Sequence, residues 1–190
     1  MQVLVVGDSC SGKSSVLAWL QKQGLPVVFE EGWKHIPRIE EEDKARSNIW
    51  FCNYFFERDR QHLGQSVVME RCLQYQFPFT YAQELAGKIT AAEREKIIEQ
   101  LSHLADQLSL EQNIVVIHFV CDSALIHDRL KERLPATTNQ KFYWDILRQQ
   151  TKEYFQNLGR YYQINTTSKT IPEIGRAVLE ILEREHFQTD

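Results

Sequence analysis

Long apolar stretches are missing from this chain. Its mean hydropathy is -0.42, and no uninterrupted run approaches the ~20 residues that span a bilayer. The first strand-like segment begins almost at Met1, with no basic-then-apolar leader ahead of it, so no secretory signal is expected. Cysteine is sparse. Cys10, Cys52, Cys72 and Cys121 are scattered, without a C-x-x-C pair or zinc spacing, so reduced thiols and a cytoplasmic setting are expected. The six histidines form no H-E-x-x-H or comparable ligand set, and His118, inside an apolar run, reads as a core or strand-end residue. Positive charge is in the minority: 22 Lys and Arg against 26 Asp and Glu give a net charge of -4. That balance argues against a general grip on nucleic acid. Repeats, low-complexity segments and linkers are lacking as well. The 190 residues are therefore expected to form one domain, 1–190, with an ample core.

What is present begins with Gly7-Asp8-Ser9-Cys10-Ser11-Gly12-Lys13-Ser14-Ser15. It reads G-x-x-x-x-G-K-S, the P-loop pattern. The apolar run Val3-Leu4-Val5-Val6 precedes it, and a helical pattern with Val16, Leu17 and Leu20 on one side follows. That strand–loop–helix context is what the motif requires. Glycines let backbone N–H groups turn inward around phosphate oxygens, and the start of the helix adds its positive end. Residues 7–15 are expected to bind ATP, with Lys13 on the β- and γ-phosphates and the Ser14 hydroxyl on Mg²⁺. Cys10 lies inside the loop near a helix start, a setting that raises the question of redox sensitivity.

Five short apolar runs read as strands: about Gln2–Val6, Leu25–Phe29, Ser66–Met69, Asn113–Val120 and Tyr161–Ile164. Helical patterns separate them, at about Glu41–Leu63, Tyr81–Leu85, Ala91–Leu108, Ser123–Leu134, Phe142–Leu158 and Pro172–Glu185. Alternation of this kind predicts an α/β fold, a five-stranded parallel sheet with helices on both faces in three layers. Ligands of such sheets gather at the carboxyl ends of the strands.

Two acidic positions fall at those ends. Glu30 follows the second strand in Phe29-Glu30-Glu31-Gly32-Trp33, and Glu70 follows the third in Met69-Glu70-Arg71-Cys72. A carboxylate at one could accept a proton from an attacking hydroxyl; a carboxylate at the other could order Mg²⁺ or its water. Arg71 could neutralise charge on a moving phosphoryl group. Phosphoryl transfer needs mainly such positioning and electrostatic parts. Asn53 lies among Trp50, Phe51, Tyr54 and Phe55, where an amide could bond a base edge, although most of these aromatics read as core.

With these residues the chain resembles the deoxynucleoside kinase and thymidylate kinase branch of the P-loop kinases, whose fold it is then expected to share. A Glu after the second strand and a Trp shortly behind it match Glu30 and Trp33; an E-R-S motif matches Glu70-Arg71 with Cys72 in place of Ser. The resemblance implies Glu30 as general base for a nucleoside 5′-hydroxyl. It places Glu70 in the Mg²⁺ environment and Arg71 on the hydroxyl or phosphate, with Trp33 near the substrate. A lid with R-x-x-x-R spacing matches Arg129 and Arg133, giving a lid segment of about 129–141. A third lid arginine and paired glutamates are absent, the positions being Pro135 and Ala136-Thr137-Thr138-Asn139. An ATP-dependent transferase is therefore expected, compatible with a homodimer, acting on a nucleoside.

Two other readings compete. Thymidylate kinases share an acidic-Arg pair like Glu70-Arg71 and a Tyr-Ala-rich helix start like Tyr81-Ala82-Gln83, but their R-E-P-G-G-T-like run is missing here. A phosphate acceptor is already anionic and needs no base, so Glu30 favours the hydroxyl. An ATPase working on a protein partner is the second. A Ras-like switch would need N-K-x-D and D-x-x-G; Asn139-Gln140-Lys141-Phe142 does not supply the first, and no D-x-x-G follows the third strand.

Overall fold

The computed structural model describes residues 1–37, 43–108, 114–133, 140–157 and 160–188; over 130–133 and 140–141 it describes the backbone alone. The strands are β1 (Gln2–Gly7), β2 (Val27–Val28), β3 (Val67–Glu70), β4 (Ile114–Val120) and β5 (Tyr161–Asn165). The helices are α1 (Lys13–Lys22), α2 (Gly32–His35), α3 (Lys44–Arg60), α4 (Gln76–Leu85), α5 (Ala91–Leu108), α6 (Ser123–Arg133), α7 (Gln140–Gln156) and α8 (Ile171–Arg184), with a 3-10 turn at Leu73–Tyr75. All strand pairs are parallel, in the order β2-β3-β1-β4-β5.

Strand alternation divides the core between two faces. Leu4, Val6, Met69 and Val116 point to one face, where they meet residues of α3, α4, α5 and α7. Val3, Val5, Val68, Val115, Ile117 and Phe119 point to the other, under α1 and α8. Covering both faces is what an all-parallel sheet demands. The chain leaves β1 toward β2 on one side and later crosses to β4 on the other. The carboxyl end of β1 is therefore the point where the connections diverge and a crevice opens.

Three boundaries differ from expectation, each for a local reason. β2 keeps only two ladder residues because it is an edge strand whose single neighbour is β3. The long helix after it starts at Lys44, where the Asp43 side chain accepts a hydrogen bond from the Arg46 amide. A separate single turn, α2, precedes it. The helix expected at Tyr81 starts five residues earlier, since Pro78 sits in its first turn, where no backbone donor is needed. Among the described residues no helix is long and apolar enough to cross a membrane.

α8 opens with a capping box between Thr170 and Glu173 and packs on α1 through Gly175. A Cβ at Gly175 would stand 2.3 Å from Cε3 of Trp19, well inside van der Waals contact. Gly175→Ala is therefore expected to destabilise the fold by about 1–3 kcal/mol through overpacking. Urea titration should show a lower midpoint at unchanged slope; an unmoved midpoint would mean that α1 and α8 do not meet through this contact.

Candidate active site

β1 is buried along its whole length and carries the chain to Gly7. There φ is +140°, and a Cβ would lie 2.3 Å from the Phe119 carbonyl oxygen, so only glycine lets β1 and β4 stay paired at this point. The loop then turns through Cys10, at φ 62°, and Gly12, at φ 95°, into α1. Two other elements pin it. The Thr166 hydroxyl donates to the Ser11 carbonyl at 3.1 Å, and Arg129 Nη1 on α6 donates to the Cys10 carbonyl at 2.9 Å. No acidic residue occupies the first turn of α1, which leaves its positive end for an anion. A cavity of about 380 Å³ stands over it, lined by Cys10, Gly12, Lys13, Ser14, Ser15, Arg129 and Ile171.

Lys13 is buried and folds back on the loop, donating from Nζ to the carbonyls of Gly7 at 2.9 Å and Asp8 at 2.7 Å. Burial, helped by the nearby Arg71, lowers its pKa to about 8, against the pull of Glu70 and Asp8. Asp8 is the most enclosed charge of the loop, at 1% exposure. Its Oδ2 accepts from Arg148 of α7, at 2.5 Å from Nη2 and 3.1 Å from Nε. Burial raises the Asp8 pKa while Arg148 and Lys13 oppose it. Beside them on β4, His118 pairs Nδ1 with the Tyr161 hydroxyl at 2.7 Å. Burial, together with Arg148 and Lys13, lowers its pKa to about 3, so it is a neutral core residue at physiological pH.

The strand-end carboxylates come together on the same edge. Ser14 Oγ, in the first turn of α1, donates to Glu70 Oε1 at 2.8 Å. The Glu30 amide lies 3.3 Å from Glu70 Oε2. The Glu30 side chain accepts from the Gly32 amide at 2.7 Å, and its other oxygen stands 3.7 Å from Arg71 Nη1. A Cβ on Gly32 would strike Phe51 at 2.7 Å, so glycine here lets α2 turn close beneath the aromatics of α3. One hydroxyl and one carboxylate form a donor set suited to Mg²⁺, which keeps waters and phosphate oxygens as its remaining ligands. Ser14 and Glu70 are the residues that fit that ion.

The structure thus gathers Gly7, Asp8, Cys10, Ser11, Gly12, Lys13, Ser14, Ser15 and Arg129 around one loop, and Glu30, Glu70 and Arg71 beside it. Ser9 lies on the same loop. Of two expected substrate contacts, Trp33 is exposed and Asn53 is engaged toward α5. Trp33 is 64% exposed on α2, beneath the Lys34 ammonium. Asn53 is exposed and bonds Ile49 O and Gln100 on the α5 side of α3. The Arg133 side chain and most of the 129–141 lid lie outside the described residues. Sequence reading missed Arg148, the buried amides Asn48 and Gln83, bonded at 2.5 Å, and Arg58 with Asp59. Only Asp8 carried a signal, since a carboxylate in a buried loop demands a cation from somewhere.

No protein-family model matches this chain, and no curated protein matches it. Solved structures do. A deoxyadenosine kinase from M. mycoides, with products dCMP and a flexible dCDP bound, superposes with a TM-score of 0.77 at 16% identity, covering 97% of this chain and 100% of that one. The YorR protein from Bacillus subtilis, in complex with phosphorylated GDP, gives 0.61 at 19% identity over 100% of both chains. Thymidylate kinase from Candida albicans gives 0.57 at 13% identity, over 97% and 92%. The fold is thus that of the P-loop nucleotide kinases, retained at identities where side chains are mostly exchanged.

The lowered pKa of Lys13 has a consequence for binding. Triphosphate favours the charged ammonium. Above pH 8 the free protein has lost that proton, so binding must take one up. Affinity for ATP is expected to be flat below about pH 8 and to fall toward tenfold per pH unit above it. Calorimetry in buffers of different ionisation enthalpy should read proton uptake there, and Lys13→Arg, which stays charged, should remove it. The stability term has the opposite direction: Lys13 is charged at a cost below pH 8, and this cost fades between pH 8 and 10.5, where the unfolded chain still holds the proton. A pH-independent affinity would show that Lys13 does not meet the phosphates.

Proposed function

We propose that this chain is an ATP-dependent kinase that transfers the γ-phosphate to the 5′-hydroxyl of a (deoxy)nucleoside. The observation that carries the reading is Glu30. Its carboxylate is largely buried and anchored by the Gly32 amide beside Arg71. It shares the sheet edge with Lys13, through Glu70 and Ser14. A hydroxyl acceptor must lose a proton as the phosphoryl group arrives, and a fixed carboxylate is the group that takes it. A phosphate acceptor would make such a carboxylate repulsive.

In this mechanism the loop amides and Lys13 hold the triphosphate, Lys13 exchanging the carbonyls of Gly7 and Asp8 for phosphate oxygens. Ser14 and Glu70 would hold Mg²⁺, which supplies charge neutralisation on the phosphates when bound. Arg71 orients the attacking oxygen between Glu30 and the γ-phosphate. Arg129, already on the loop at Cys10, and Arg133 bring guanidinium groups to the phosphoryl oxygens as the site closes. The acceptor's base would meet the aromatic wall of Phe51 and Tyr54 and the buried amides of Asn48 and Gln83, the latter beside the Tyr143 hydroxyl. These amides are better placed than Asn53 for that task. The M. mycoides kinase, with dCMP among its two bound products beside dCDP, supports a nucleoside acceptor; the thymidylate kinase likeness supports a monophosphate. The reading implies a single-domain cytoplasmic enzyme.

A transfer screen with labelled ATP across nucleosides and monophosphates is expected to find a nucleoside product. Transfer to monophosphates alone would replace the hydroxyl reading, and hydrolysis without any acceptor would favour an ATPase. Glu30→Gln should lower kcat by about two to four orders of magnitude, the range for general-base loss, with ATP affinity little changed. An unchanged kcat on a hydroxyl acceptor would remove Glu30 as the base.

A further inference from the structure

Arg71 occupies the least favourable backbone conformation at the strand-end half of the site. Its φ of 56° is left-handed, a region that costs an L side chain about 1–2 kcal/mol. Two peptide groups flank its Cα, and one guanidinium grips both. Arg58, on α3, donates from Nη1 to the Glu70 carbonyl at 3.0 Å and from Nη2 to the Arg71 carbonyl at 2.8 Å. Since each peptide is planar, fixing both carbonyls fixes both dihedrals between them.

Arg58 is itself held from two sides. Its Cζ lies 4.7 Å over the Phe55 ring. Its Nε and Nη2 donate to Asp59 Oδ1 at 2.9 and 2.7 Å. The second oxygen of Asp59 accepts from the Leu73 amide at 2.7 Å, at the start of the 3-10 turn just beyond Arg71. Both charges are buried, Asp59 completely. Adjacent residues of one helix thus bracket residues 70–73 from outside the crevice.

We propose that Arg58 and Asp59 are a positioning pair whose task is to hold the left-handed turn at Arg71, and so to set where Glu70 and Arg71 aim. The proposal rests on the reading of those two residues as parts of a phosphoryl-transfer site. Lysine is not an equivalent at position 58, because a point ammonium lacks the planar fork that spans two carbonyls and a carboxylate. The hydrogen bonds of Arg58 do not reach residues 7–15, so ground-state nucleotide binding should be spared while transfer suffers.

The test uses Arg58→Lys in the full chain. Single-turnover transfer is expected to fall by about tenfold to a hundredfold, the scale of a displaced reacting group, with ATP affinity within about twofold of wild type. Asp59→Asn, which keeps an acceptor for the Leu73 amide, should show a smaller fall in the same direction. Wild-type transfer by folded R58K overturns the proposal, as does an equal loss of ATP affinity. A second measurement does not depend on activity. Arg71→Gly relieves the left-handed strain, so the drop in Tm caused by R58K should be smaller in the R71G background. Additive drops overturn the clamp, even in a protein that transfers to none of the acceptors tried; a smaller drop there supports the clamp while the functional reading fails alone. If R58K does not accumulate folded, D59N carries both measurements and the same outcomes decide.

Discussion

Charge balance along one buried sheet edge is the constraint on which the site depends. Lys13, Arg71 and Arg148 stand there with Asp8, Glu30 and Glu70, all of them buried or largely so. An isolated ion in such a place would shift its pKa and neutralise. Each is kept by a neighbour: Asp8 by Arg148, Arg71 by Glu30, Lys13 by loop carbonyls with Glu70 and Asp8 nearby. Burial is the main reason that the pKa of Lys13 is still driven down to about 8, with Arg71 adding to it. In the proposed function a bound phosphate favours the charged ammonium, which links affinity to the protonation of Lys13.

The same balance bears on the acceptor. Glu30 is restrained by a backbone amide and faced by a single guanidinium nitrogen at 3.7 Å, a looser pairing than Arg148 makes with Asp8. In the proposed function Glu30 is the carboxylate that takes the proton of the acceptor hydroxyl. Asp8 is clamped by two nitrogens of Arg148, although burial raises its pKa. The two carboxylates are thus held differently, Asp8 by two guanidinium nitrogens and Glu30 by a backbone amide.

Much of this was legible in the sequence, and the part that was not has a common cause. The loop could be read because its glycines and Lys13 act through the backbone at fixed spacing. Glu30 and Glu70 could be read because parallel strands bring their carboxyl ends to one edge whatever lies between. The five strands and most helices followed from periodicity, with β2 shortened by its edge position. What Asn53 faces could not be read, because only the rotation of a helix decides it: Asn53 looks to α5, whereas Asn48 looks to Gln83. Arg148, 140 residues from Asp8, and Arg58, which besides its neighbour Asp59 grips two backbone carbonyls, leave no pattern that names those distant targets. Carbonyls are the same at every position, so a side chain that recognises them has no partner residue to betray it.

The two helices on either side of residues 134–139, α6 and α7, add the last step. α6 holds the loop at the Cys10 carbonyl through Arg129, and α7 holds it at the Asp8 carboxylate through Arg148. Residues 8 and 10 are thus tied to opposite sides of the 134–139 connection before any nucleotide is bound. Arg129 lines the phosphate cavity and has a better partner in an incoming phosphate than in a neutral carbonyl. Arg148 already has a full carboxylate and gains little by leaving it. In the proposed mechanism the α6 contact is the one exchanged for a phosphate, and the α7 contact is kept.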